Sequence, residues 1–153
     1  MKKRWQDSYT EQVHILMPEH INGAGRLFGG RLISWIDVVA GVTARRHAGY
    51  DVTTACVDHL KFIGPAHVND IVLITGRVTW TGRTSMEVRV DTYTESRGVR
   101  THVNRAYLVM VALDENEKPV PVPELSLETE EDRRIWEGAL SRKEERTRRR
   151  DEW

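Results

Sequence analysis

Four β-like runs joined by short turns fill residues 52–113 and set most of what this chain can fold into. They are Val52–Phe62, Ile71–Trp80, Ser85–Thr94 and Thr101–Leu113, rich in β-branched residues and broken at Gly64-Pro65, Thr81-Gly82 and the segment DENEKP. In the third run Met86, Val88 and Val90 alternate with Glu87, Arg89 and Asp91, which predicts one dry face and one wet face. Consecutive strands with short turns predict an antiparallel meander. A further run at residues 9–15 supplies a short edge strand.

One long helix precedes the meander, over about Gly29–Ala48. Leu32, Ile36, Val39 and Thr43 share a face, while Trp35, Val38 and Val42 cover much of the remainder, so the pattern predicts a helix buried nearly all round. In its middle stands Asp37. Its neighbours one turn away, Ile33, Ser34, Ala40 and Gly41, carry no cation. Aspartate is also a poor helix former. Two readings stay open: a carboxylate poised for proton transfer, or one held structurally by hydrogen bonds. Gly29-Gly30 at the helix start leaves backbone N–H groups unobstructed, for an anion or a polarised carbonyl, or serves as an ordinary cap.

Past the strands, Pro119, Pro121 and Pro123 predict an extended linker. Thr129 with Asp132 forms a capping box for a C-terminal helix, acidic at its start and arginine-rich at its end. The tail from residue 141 to 153 mixes six cations with four anions, a pattern that predicts a solvated helix and not a nucleic-acid face.

With 153 residues the chain is large enough for one real core. Lys plus Arg equals Asp plus Glu at 23 each, so no global field favours nucleic acid or an anionic membrane. No uncharged apolar stretch approaches the roughly 20 residues of a membrane span. The basic N-terminus lacks a following apolar segment, and Cys56 has no second cysteine to bridge. The expectation is a cytoplasmic protein. Six scattered histidines offer no metal-ligand spacing, so no metal and no cofactor are expected.

In order along the chain, Asn22-x-x-Gly25-x-Leu27-Phe28-Gly29-Gly30, then Trp35-Ile36-Asp37, then Val57-Asp58-x-x-x-Phe62-x-x-Pro65 resemble the hotdog-fold acyl-CoA thioester hydrolases. Gly82-Arg83-Thr84-Ser85-Met86-x-Val88 is similar to the same family's turn between strands. The likeness spans about residues 9–123. It implies an α+β hotdog fold, a five-stranded antiparallel sheet wrapped around one long central helix, with a C-terminal helix added. The domains implied are a hotdog hydrolase domain over 1–123 and a helical extension over 124–153. The activity implied is hydrolysis of an acyl-CoA to free fatty acid and coenzyme A. By the same resemblance Asp37 is the general base or nucleophile, and Asn22 positions water or substrate. Gly29 or Gly30 N–H polarises the thioester carbonyl, and Arg83, Thr84 and Ser85 line the coenzyme A groove. The active sites lie at a homodimer interface, with dimers assembling into a trimer of dimers. One departure is Asn69, in a turn where members often carry glycine; asparagine tolerates positive φ, so the turn is expected to survive.

Other residues have plainer expectations. Cys56 is expected as a core thiol. Asp58 is expected on the strand face of Leu60 and Phe62 near the dimer seam, with His59 and Lys61 opposite. The tail arginines have a second reading, drawing polyanionic coenzyme A toward its groove. A hydratase would place His five residues after Asp37, where Val42 stands. A non-catalytic acyl-CoA sensor is the rival from another class.

Overall fold

A computed structural model describes residues 1–152. In chain order the elements are β1 (Lys2–Lys3), β2 (Thr10–Ile15), α1 (Gly29–Ala48), β3 (Asp51–Phe62), β4 (Ile71–Thr81), β5 (Ser85–Ser96), β6 (Val99–Leu113), β7 (Glu124–Leu125) and α2 (Glu130–Arg150). Strands β2 to β6 form one antiparallel sheet in the order β2-β4-β5-β6-β3, wrapped around α1. The short parallel pair β1–β7 ties the start of the chain to the segment leading into α2. No helix is long and apolar enough to cross a membrane.

The simple meander holds only for β4-β5-β6. β3 is not beside β4; it crosses to the far edge and pairs with β6, while β2 takes the free edge of β4. The connection through Gly64-Pro65 and Asn69 is a crossing segment and not a hairpin turn, and Asn69 sits at φ 74° as that turn requires.

Helix α1 packs on the inner, concave face of the sheet. Leu32, Ile36, Val39, Ala40, Thr43 and Ala44 recur at helical spacing and are fully buried against Ile74, Val88, Leu108 and Met110. Each large side chain so buried stabilises the fold by roughly 1.5–3 kcal/mol. Closest approach is at Gly76, where a Cβ would lie 2.5 Å from Thr43 Oγ1 and 2.9 Å from Val39 Cγ1. The expectation of burial all round is corrected here: Ile33, Ser34, Asp37 and Val38 lie exposed on the side of α1 toward β3.

The outer face is not wet along β5 either. Helix α2 lies across it, and Glu87 is completely buried beneath the helix. Arg142 grips Glu87 through two bonds of 2.9 Å, and its guanidinium stacks 3.5 Å from the Tyr107 ring. The capping box is present: Thr129 Oγ1 accepts from Asp132 N–H, and Asp132 returns bonds to Thr129 and Glu128 N–H while pairing with Arg77. A tail expected to be solvated is therefore a packed strap. Its signal is in the sequence, since Arg142, Arg146 and Arg149 recur at i, i+4 and i+7.

Two β-bulges in β3, at Thr54/Cys56 and Asp58/Lys61, break its alternation. Thr54 faces α1, but Cys56 and Asp58 face outward beneath α2, where Arg146 and Arg149 hold Asp58 at 3.2 and 3.0 Å. Asp58 therefore lies opposite Phe62, and on the same face as Lys61, which pairs with Arg105. Cys56 is half-buried and lines a groove under α2, so it is not a core thiol.

Candidate active site

Asp37 leaves α1 at the edge where β3 has no further strand beside it. One protein group reaches it: the Thr54 hydroxyl donates to Asp37 Oδ1 at 2.6 Å. No cation lies within ion-pairing distance of it among the described residues. Around this lone carboxylate, Phe28, Ile33, Val38, Val57 and Phe62 are each more than a third exposed. A strong acceptor inside an exposed apolar ring is a surface built to be covered.

Thr54 was not legible as a site residue. The inward register before the first bulge of β3 brings it to Asp37, and that register is set by the pairing of Thr54 with Met110 on β6.

Asn22 is bent into a tight loop. Its Oδ1 accepts from the Ala24 and Arg26 N–H groups at 2.9 and 3.1 Å. The carbonyl end is thus engaged, and the Nδ2 amide keeps its two donors for a guest. Asn22 lines a cavity of about 450 Å³ together with Gly29, Phe62 and Gly64.

At the start of α1, Phe28 gives no side-chain cap, and the first helical bond runs from Leu32 N–H to the Phe28 carbonyl. The N–H groups ahead of it, at Gly29 and Gly30, are the open donors of a helix start. Gly29 faces the Asn22 cavity. Gly30 has a further steric reason, since a Cβ there would stand 2.8 Å from the Phe28 ring.

The expected residues thus separate into three groups within one chain. Asn22 and Gly29 share a cavity that does not include Asp37. Asp37 sits with Thr54, two turns and roughly 10–12 Å further along α1 than Gly29 and Gly30. The third group is the turn between β4 and β5, on the opposite face of the sheet. There Arg83 and Thr84 offer backbone carbonyls to Val122 and Ala112, and Ser85 lines the groove under α2.

A family model described as the Thioesterase superfamily matches residues 24–101. A Bacillus subtilis protein, named as an uncharacterized acyl-CoA thioester hydrolase, is 39% identical over 143 residues, covering 92% of this chain and 83% of its own. Among solved structures, an apo-hexameric acyl-CoA thioesterase superposes with a TM-score of 0.93 at 41% identity, over 97% of this chain and 96% of that one. An acyl-CoA hydrolase from Staphylococcus aureus, solved with butyryl coenzyme A, coenzyme A and coenzyme A disulfide, superposes with a TM-score of 0.94 at 32% identity, over 99% and 94%. That hydrolase has also been solved with alanine replacing an asparagine, an aspartate and a threonine. The three stand in the order and at the spacings of Asn22, Asp37 and Thr54 here.

Proposed function

This chain belongs to the thioesterase superfamily, and from that premise we propose that it is an acyl-CoA thioester hydrolase with Asp37 as general base. The observation that carries the reading is the Asp37 carboxylate, held by one hydroxyl, free of cations and ringed by exposed apolar side chains. With Oδ1 occupied by Thr54, Oδ2 is left to take a proton from water. The water oxygen attacks the thioester carbonyl carbon. The C–S bond then breaks, coenzyme A leaves as thiolate, and the proton held by Asp37 returns to that sulfur. Charge gathering on the carbonyl oxygen is met by the open N–H of Gly29 or Gly30, and the Asn22 amide donates to water or substrate. No metal enters these steps.

One chain cannot assemble all of these groups, because the helix-start donors and Asp37 lie on different parts of α1. A second copy resolves this. Strand β3 is paired on one side only, and a two-fold copy laid along it would cover the apolar ring and bring Asn22 and Gly29 of one protomer to Asp37 of the other. The reading includes further association of such dimers into a trimer of dimers, and a cytoplasmic setting.

The test is thiol release from acyl-CoAs of graded chain length, wild type beside Asp37→Ala, with light scattering on both. Turnover that collapses in the variant at unchanged mass supports the reading. Undiminished turnover removes Asp37 from the mechanism, and coenzyme A binding without turnover on any chain makes the protein a sensor. A single turnover in ¹⁸O water separates base from nucleophile: label in the Asp37 carboxylate would mean a covalent acyl-enzyme.

A further inference from the structure

Beneath the last two turns of α2 runs a groove of about 840 Å³. Its charged lining is four cations, Lys143, Arg146, Arg149 and Arg150, against Asp58 and Glu152. In a chain whose formal net charge is zero, this is a local positive field. Two of the cations are fixed in place. Arg146 spans Asp58 at 3.2 Å and Glu87 at 3.9 Å, and Arg149 holds the other Asp58 oxygen at 3.0 Å. Lys143 and Arg150 form no ion pair among the described residues; Lys143 instead rests 5.0 Å above the Trp80 ring. The floor of the groove is apolar, from Val57, Val109 and Trp80. A guest suited to it has several phosphate charges joined to a flat apolar group.

The groove also has a fixed relation to Asp37. Thr54, bonded to Asp37 on the inner face, and Cys56, in the groove wall on the outer face, are separated on β3 by one bulged residue. The strand therefore carries the reactive carboxylate on one side and the phosphate-binding lining on the other, roughly 7 Å apart along its length. A molecule that serves both places needs its reactive carbonyl and its phosphates at opposite ends of a flexible arm.

The geometry points to this groove as the seat of the phosphate-bearing nucleotide end of acyl-CoA, with Lys143 and Arg150 as the free cations that take the phosphates. This rests on the hydrolase reading above and extends it from the thioester to the far end of the substrate. Arg146 and Arg149 are positioning residues, locked by carboxylates so that the field does not collapse when the groove is empty. Ser85 is the single residue of the Arg83-Thr84-Ser85 turn that reaches the groove.

The experiment compares two substrates, an acyl-CoA and the same acyl thioester of pantetheine, which lacks the nucleotide. In Lys143→Ala/Arg150→Ala the KM for acyl-CoA is expected to rise about 10-fold or more at unchanged kcat, while the pantetheine thioester is hydrolysed as by wild type. A charge-matched control, Arg133→Ala/Arg134→Ala on the exposed first half of α2, is expected to leave both substrates unchanged. Adenosine 3′,5′-bisphosphate should compete with acyl-CoA; non-competitive inhibition would instead make the groove a regulatory nucleotide site and overturn the proposal. An unmoved KM, or equal loss on both substrates, would also overturn it. If wild type hydrolyses neither substrate, the hydrolase reading fails, and calorimetry with coenzyme A still decides the groove: binding weakened in the double variant supports it, equal binding ends it. Should the double variant not fold, Arg150→Ala alone gives the same readouts.

Discussion

Glu87 and Asp58 on the outer face of the sheet and Asp37 on the inner face are all carboxylates set among apolar residues, but the chain treats them in opposite ways. The outer pair is almost wholly buried and saturated with guanidinium groups from Arg142, Arg146 and Arg149. The inner carboxylate has one hydroxyl and no cation. A buried charge is tolerable once every lone pair is matched, and it then acts as a fastening. An acid left unmatched beside exposed apolar surface is available to a reactant. Pairing, more than burial, separates the structural carboxylates from the one assigned to chemistry.

Removing an outer carboxylate should give the largest effect. Glu87→Ala leaves Arg142 and Arg146 without their shared counter-charge and is expected to cost about 3–5 kcal/mol in urea unfolding. A stable Glu87→Ala protein would break the contrast from the outer side. Asp37→Ala should do the reverse, with stability within about 0.5 kcal/mol of wild type and a rate lower by roughly 10²–10⁴-fold. A destabilised but active Asp37→Ala would break it from the inner side.

Thr54→Val sharpens the inner half. It keeps the shape and removes the donor to Asp37, so kcat should fall roughly 10- to 100-fold, the value of one hydrogen bond to a charged group. Acid titration gives the smallest signal. Burial alone would raise the Asp58 carboxyl, but the bonds from Arg149 and Arg146 outweigh it and hold the group below its ordinary value of 3.8. A depressed folded pKa contributes stability above the unfolded value and loses it as pH falls through the folded one. Stability measured below pH 3.8 should therefore fall more steeply in wild type than in Asp58→Asn.

The sheet, α1 and the cap of α2 were legible because each is written in a local period or a local hydrogen bond. The alternation of Glu87, Arg89 and Asp91 marked a polar face, but no local pattern tells water from an arginine-bearing helix as its cover. Likewise, the apolar residues around Asp37 announce burial without saying whether this sheet or a second copy provides it. Asp37, Asn22 and Gly29 were nameable from motif order alone. Thr54 and the outward turn of Asp58 were not, since both depend on bulges that only pairing with β6 creates.

Those bulges bear on a hazard that any long free edge brings. Twelve residues of unpaired strand would, if regular, accept almost any extended segment in almost any register. Strand β3 is interrupted twice, and His59 is held at φ 50° within the second interruption. An arriving stranger cannot follow those breaks, and a copy shifted by one position meets them out of step. A two-fold copy carries the same breaks in matching order, so the irregularity that bends the strand around its carboxylate also protects the chain from aggregation.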